Sequence, residues 1–242
     1  MITLLNLKEE EWKDKVEVIS SDMRNWKPKE EELADIVISE LLGSFADNEL
    51  SPECLYSAQH LMKPDGISIP QSYTSWIGPL QSSKLCQEVR SSADPEKNPE
   101  AHFETPYVVH FQNRFEIAKP KPLFTFAHPV RDAAIKYDRY GILNFKVEHD
   151  CVLNGFAGYF ECVLYGDVVI STNPDTHSKG MFSWFPIFFP LRHPVQCSSG
   201  NEVDLHFWRI NNGKNVWYEW SISKPVPMSI HNPNGRSYTI GL

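Results

Sequence analysis

The chain has 242 residues, 41% of them hydrophobic and 22% charged, which is ample for a core and excludes a disordered polymer. Its 23 basic residues against 31 acidic ones leave a formal charge of −8, which argues against nucleic acid as the main ligand and favours cationic partners. Eighteen prolines and 12% aromatics predict many short strands and turns instead of long helices. In chain order, Leu4 to Lys15 reads as a charged helix with Leu4, Leu5, Leu7 and Trp12 available for one face. Val16 to Ser20 is a short β-branched run ending in the polar Ser20-Ser21-Asp22. Ala34 to Ile38 is a second, nearly continuous apolar run of the kind that lies in a parallel sheet covered on both faces. After a loop from Ser39 to Leu50, Ser51-Pro52-Glu53 predicts a helix start, with Ser51 as N-cap and Pro52 at the first helical position. That helix runs to about Met62 and stops at Lys63-Pro64-Asp65-Gly66.

From Ile67 the pattern changes to strict alternation. Leu143, Phe145 and Val147 alternate with polar residues; Phe156, Gly158, Phe160, Cys162 and Leu164 share one face of the next strand. Val216, Tyr218, Trp220 and Ile222 alternate again behind Asn211-Asn212-Gly213-Lys214, a hairpin turn with a positive φ at Gly213. These features predict an antiparallel β domain of about 170 residues, a barrel or sandwich. Ser91 to Pro99 is charged and proline-containing, an exposed loop or arm. Cys54, Cys86, Cys151, Cys162 and Cys197 are widely spaced, without CxxC, and predict no disulfide framework, no metal site and a reducing intracellular setting. No basic stretch precedes an apolar one at the N-terminus. The most apolar window, Met181 to Leu191, is short and holds Pro186 and Pro190, so neither leader nor membrane span is predicted. The nine histidines lack metal-ligand spacing and read as structural or surface residues.

The chemistry concentrates in Ser39-Glu40-Leu41-Leu42-Gly43-Ser44-Phe45-Ala46-Asp47-Asn48-Glu49-Leu50-Ser51-Pro52-Glu53. Glu40 follows an apolar strand, where open α/β sheets place their ligands, and Glu49 lies nine residues on across a loop that can double back. Two convergent carboxylates repel unless a cation lies between them, and a guanidinium matches them bidentately. From spacing alone, a pair of ordinary solvated loop acids stays the commoner reading. The first glycine, Gly43, comes well past the first strand, so a doubly wound fold would here start in its middle.

This segment closely resembles the double-Glu loop of the protein arginine methyltransferases, specifically the symmetric (type II) class. The resemblance extends from Ser20-Ser21-Asp22-Met23-Arg24 through Met181-Phe182-Ser183-Trp184-Phe185-Pro186 to Gly235-Arg236-Ser237-Tyr238-Thr239-Ile240-Gly241-Leu242, essentially the whole chain. It implies a fold of α/β plus all-β type. Residues 1–69 would be the C-terminal part of a Rossmann-like S-adenosyl-L-methionine-dependent methyltransferase domain, and residues 70–242 a β-barrel for substrate binding and oligomerisation. The implied reaction transfers methyl groups to the ω-nitrogens of peptidyl arginine, giving symmetric dimethylarginine. Glu40 and Glu49 would hold the guanidinium, Glu40 orienting the attacking nitrogen and Glu49 accepting the proton. Asp22 and Met23 would contact the adenine of the cofactor. Trp184 and Phe185 would line the arginine channel, with Ser183 where asymmetric relatives carry His; without the resemblance, Trp184 reads as a core aromatic.

The implied partners are Gly- and Arg-rich tails, histones and splicing factors, a second copy of the chain through the β domain, and, for the longer family proteins, a β-propeller docked on an N-terminal barrel. Neither direct nucleic-acid contact nor membrane attachment is implied, and the implied location is cytoplasmic and nuclear. The family's glycine-rich cofactor loop would precede Met1, so the chain alone is expected to be inactive. The alternative is a non-catalytic module for oligomerisation or substrate binding.

Overall fold

The computed structural model of the chain describes residue 12, residues 15–130 and residues 135–242. The helix predicted from Leu4 to Lys15 lies almost wholly outside them. Among the described residues, the regular elements are β1 (Ala34–Ile38), α1 (Ser51–Ala58), β2 (Met62–Ile69), β3 (Ser72–Gln81), α2 (Ser83–Ser91), β4 (Tyr107–Val108), β5 (Phe115–Glu116), β6 (Lys121–Ala127), β7 (Arg139–Lys146), β8 (Cys151–Tyr165), β9 (Val168–Ser171), β10 (Ile187–Cys197), β11 (Glu202–Asn211), β12 (Asn215–Lys224) and β13 (Ile240–Gly241), joined by short 3-10 turns. They form three sheets: parallel β1–β2; a mostly long-stranded sheet in the order β4-β10-β8-β3-β5, with β6 added on β3 and β9 on β8; and β13-β12-β11-β7. This is the remnant of an α/β sheet followed by an antiparallel β domain.

β1 falls on the predicted run, but its setting differs. It pairs only with β2, Ile36 opposite Ile67 and Ile38 opposite Ile69. Ile36 and Ile38 are 50% and 73% exposed, so the strand is not covered on both faces. Residues 16–20, predicted as a strand, join no ladder among the described residues. A β-branched run without a partner strand leaves its amides and carbonyls to solvent and has no reason to stay extended. The helix is shorter than predicted: α1 ends at Ala58, and a 3-10 turn over Gln59–Leu61 leads into β2. Its N-cap is Leu50, not Ser51; Ser51 is the first helical residue and its hydroxyl donates to the Ala46 carbonyl at 3.4 Å. Lys63 to Gly66 do not end an element but bulge within β2, whose pairing with β1 jumps from Met62 to Ile67. A proline without an N–H is tolerated at such an irregular edge position.

The β domain packs as its alternation predicts. Phe145 in β7 and Val147 just after it face inward, as do Val216, Tyr218, Trp220 and Ile222 along β12, and Gly213 turns the β11–β12 hairpin with φ +80°. β8 is covered on both sides: Phe156, Phe160 and Cys162 join the main core, while Ala157 and Tyr159 face a second cluster with Leu85 and Val89 of α2. The main core also takes in Leu42, Phe45, Ala46 and Leu55 from outside the β domain. Phe45, fully buried, sits edge-on to Phe189 at 5.1 Å and to Tyr218 at 5.8 Å between ring centroids. A side chain at Gly158 would meet the Phe45 ring at 2.6 Å, so glycine there makes its seat.

Elsewhere, Glu104 is a second buried hub. It accepts from Arg192 Nη2 at 3.0 Å, Arg236 Nε at 2.9 Å and Ser237 Oγ at 2.5 Å, which ties the C-terminal segment to the barrel. His128 and His231 are buried, and burial pushes both down to about 4; His231 stacks on Trp220 at 5.3 Å. All five cysteines are free, and no described helix is long and apolar enough to cross a membrane.

Candidate functional site

The loop between β1 and α1 carries both predicted acids. Ser39 N donates to Ile69 O at 2.9 Å, the last rung beside the sheet, and Glu40 stands immediately beyond it. Glu40 accepts from Leu42 N at 3.3 Å. The chain then folds back, Gly43 and Ala46 exchanging backbone hydrogen bonds of 3.1 and 2.9 Å. Gly43 has no room for a side chain, since a Cβ would lie 2.3 Å from Asn48 Oδ1, which accepts from Phe45 N. Asp47–Glu49 form one 3-10 turn bracketed by two non-glycine residues of positive φ, Ala46 at 62° and Leu50 at 64°.

Glu40 and Glu49 both expose their side chains. Partial burial raises the Glu49 carboxyl above its ordinary value, and the Glu40 charge raises it further, so the two acids lie within electrostatic reach of each other.

Trp184, half-buried before β10, touches the same loop. Its Nε1 donates to Leu42 O at 2.7 Å and its ring meets Phe160 edge-on at 5.8 Å. Phe185 packs on His110, with ring centroids 3.9 Å apart, and the neighbouring Phe182 is 81% exposed. The aromatic segment and the acidic loop are thus one continuous structure, although 142 residues separate Trp184 from Leu42 in the chain.

Asp22 and Met23 are placed differently. Asp22 caps its own turn, accepting Arg24 N at 2.9 Å and the Arg24 guanidinium at 2.7 to 3.1 Å. Those hydrogen bonds hold its carboxyl below the usual range. Met23 is partly exposed beside it.

Sequence reasoning passed over the residues that anchor this loop. Asp47 and Arg209 are both fully buried and pair at 2.6 Å from Nε to Oδ2. Arg209 also grips Glu53 with Nη1 and Nη2 at 2.8 and 2.9 Å, the fork geometry that suits a carboxylate. Tyr218 and Ser75 hydroxyls each donate to Asp47 at 2.7 Å, and Asn211 Nδ2 to Glu53 at 2.9 Å. Burial opposes the Arg209 charge, yet Asp47 and Glu53 outweigh it and hold the guanidinium above its ordinary value. The signal was present: Val203, Leu205, Phe207 and Arg209 share the inward phase of β11, and a cation in that phase needs buried partners.

Two family models cover the chain. One described as PRMT5 arginine-N-methyltransferase matches residues 1–69, and one described as PRMT5 oligomerisation domain matches residues 72–240. Relatives named protein arginine N-methyltransferase 5 are similar along the whole chain. That of Xenopus laevis is 55% identical over 242 residues, and that of Oryza sativa subsp. indica 50% over 246; each alignment covers 100% of this chain. That of Drosophila melanogaster is 46% identical over 242 residues and covers 99%. These alignments take in only 38%, 37% and 38% of the relatives' own lengths.

Among solved structures, the fold is similar to the Trypanosoma brucei PRMT1 enzyme-prozyme heterotetrameric complex with AdoHcy (TM-score 0.73, 15% identity, 98% of this chain and 76% of that one). It is also similar to Arabidopsis thaliana protein arginine methyltransferase 10 (TM-score 0.67, 16% identity, 93% and 76%). A family-specific match over residues 72–240, with a second over 1–69 that contains the acidic loop, settles the lineage: the chain belongs to the protein arginine N-methyltransferase 5 family.

Proposed function

We propose that this chain is the arginine-binding, C-terminal portion of an S-adenosylmethionine-dependent protein arginine methyltransferase of the symmetric class, with Glu40 and Glu49 as its guanidinium clamp. The observation that carries the reading is the electrostatic proximity of the two acids on a loop whose Leu42 carbonyl is held by Trp184. A planar cation between the carboxylates relieves their repulsion, and an indole wall adds a cation–π contact. Glu40, fixed by its Leu42 amide, aligns the guanidinium. Asymmetric pairing with the two acids concentrates the lone pair on one nitrogen, and Glu49, whose carboxyl is already raised, accepts the proton released there.

Asp22 and Met23 would stand at the adenine end of the cofactor, the Asp22 carboxylate shared with the Arg24 it already accepts from and the Met23 thioether against an aromatic edge. When bound, S-adenosylmethionine supplies an electrophilic sulfonium methyl. The substrates of this reading are flexible Gly- and Arg-rich tails, including those of histones and splicing factors, in the cytoplasm and nucleus, and the β domain pairs with a second copy of the chain. The description of the model matching residues 72–240 favours a second reading, an oligomerisation or substrate-binding module without turnover.

Titration calorimetry of the chain with a Gly-Arg-Gly-rich peptide tests the clamp. Glu40→Gln is expected to weaken binding by about tenfold or more, the worth of a charge-assisted hydrogen bond. Binding needs both carboxylates charged. It is therefore lost as the pH falls through the Glu49 titration, at a higher pH than an ordinary glutamate would give. Equal affinity for the Glu40→Gln chain, or for a lysine peptide of the same spacing, defeats the reading.

A further inference from the structure

Glu49 is exposed, so its position is inherited from its backbone. That backbone is held from the two sides. Asp47, two residues before Glu49, and Glu53, four residues after, both end on the guanidinium of Arg209, which reaches them from β11 across 162 and 156 residues of chain. The Asp47–Glu49 turn is bracketed by Ala46 and Leu50 at positive φ, a conformation that side-chain-bearing residues keep only where their surroundings over-determine it. The surroundings do so at one atom pair after another. Arg209 Nε and the Tyr218 hydroxyl share Asp47 Oδ2, Ser75 takes Oδ1, and the Arg209 fork and Asn211 take Glu53. A buried ion pair meant only for stability has no need to straddle an exposed acid and a strained turn.

We propose that Arg209 is a positioning residue for the clamp: from the β domain it grips Asp47 and Glu53 on either side of Glu49, and so fixes where the Glu49 carboxylate stands relative to Glu40. The inference rests on the clamp reading for its consequence in binding, but not for its geometry. It gives the β domain a contribution to the arginine site beyond Trp184, made through the loop, since the fully buried Arg209 does not itself reach a bound guanidinium. Tyr218, on the adjacent β12, acts with Arg209 through Asp47.

The test follows the Glu49 carboxyl directly, by ¹³C NMR titration of the glutamate-labelled chain without ligand, with melting temperature recorded in parallel. In Arg209→Lys, which keeps the charge and loses the fork, and in Tyr218→Phe, which loses one hydroxyl donor and keeps the ring, Glu49 is expected to move away from Glu40. Its proton affinity then falls toward that of an ordinary glutamate, as the Glu40 charge that helps to raise it draws away. Glu104→Gln disturbs the other buried hub and is expected to lower the melting temperature while leaving the Glu49 titration unchanged. In the second arm, affinity for the Gly-Arg-Gly-rich peptide is expected to drop about tenfold in Arg209→Lys and less in Tyr218→Phe.

If Arg209→Lys does not fold, Tyr218→Phe decides. A Glu49 titration in folded Tyr218→Phe that matches the parent chain overturns the inference, and so does one that shifts equally in Glu104→Gln. A parent chain that binds no peptide defeats the clamp reading alone, since the titration still decides whether Arg209 places Glu49.

Discussion

The parallel pair β1–β2 and the long strand β8 are built from similar apolar residues and meet opposite fates. Ile36 and Ile38 of β1 stand half or more exposed, while β8 is sealed on both faces, Phe156 and Phe160 in the main core and Ala157 and Tyr159 in the second cluster. The difference is one of neighbours. β8 pairs with β3, β10 and β9 and is covered by α2, whereas β1 has β2 and nothing on its outer side among the described residues. Between the two lies the acidic loop. By sequence it follows β1, but by packing it belongs with β8, because Phe45 and Asp47 are buried in the β domain. Pairing and cover from partner elements, and not hydrophobicity alone, decide which apolar segment joins the core.

That contrast can be broken at several strengths. The largest effect is expected for Phe45→Ala, about 3–5 kcal/mol by chemical denaturation, as for other buried phenylalanines. A cost near zero would mean that the loop is not part of the β core. Glu104→Gln comes next, about 1–3 kcal/mol, because Arg192 and Arg236 keep a neutral acceptor in place of a charged one. This substitution also has a pH signature. Burial alone would raise the Glu104 carboxyl, but the hydrogen bonds from Arg236 and Ser237, with the Arg236 and Arg192 charges, bring it below its ordinary value. A lowered carboxyl contributes stability that is complete above the unfolded-state titration and is lost as the pH falls through the folded one. The parent chain should therefore lose stability toward acid more steeply than Glu104→Gln, as read from melting temperatures between neutral and acid pH. The smallest effect is expected at Ile38→Lys, within about 0.5 kcal/mol of the parent. A large loss there would show that another surface covers β1.

Much of the fold was legible from local pattern. β1, the alternation of β7 and β12, the Asn212-Gly213 turn and the loop from Ser39 to Leu50 follow from periodicity and turn chemistry, which are properties of neighbouring residues. What escaped depends on distant partners. The paired strand β2 passes through Pro64 and Gly66, which read as a stop because only the pairing with β1 reveals a bulge. Helix α2 follows Ser82, whose hydroxyl accepts Leu85 N at 3.3 Å; both that capping residue and the helical spacing of the buried Leu85, Cys86 and Val89 were in plain sight and went unread, the face being only three residues long. At the site, the spacing of Glu40 and Glu49 only raised the acids as candidates, and the resemblance to a known loop singled them out. Arg209 stands in the inward phase of β11, so its burial could have been read, but its partners Asp47 and Glu53 could not, because they lie more than 150 residues away.

The span between Asp47 and Arg209 has a consequence for how the chain is made. The acidic loop leaves the ribosome 162 residues before the arginine that completes its anchor. At about 5–20 residues per second, that is roughly 8–30 s during which Phe45 and Asp47 have no finished core to enter. Non-local closure of this kind is slow to repay its entropy. The acidic loop is therefore among the last segments to take shape during synthesis, and it waits on the β11–β12 hairpin.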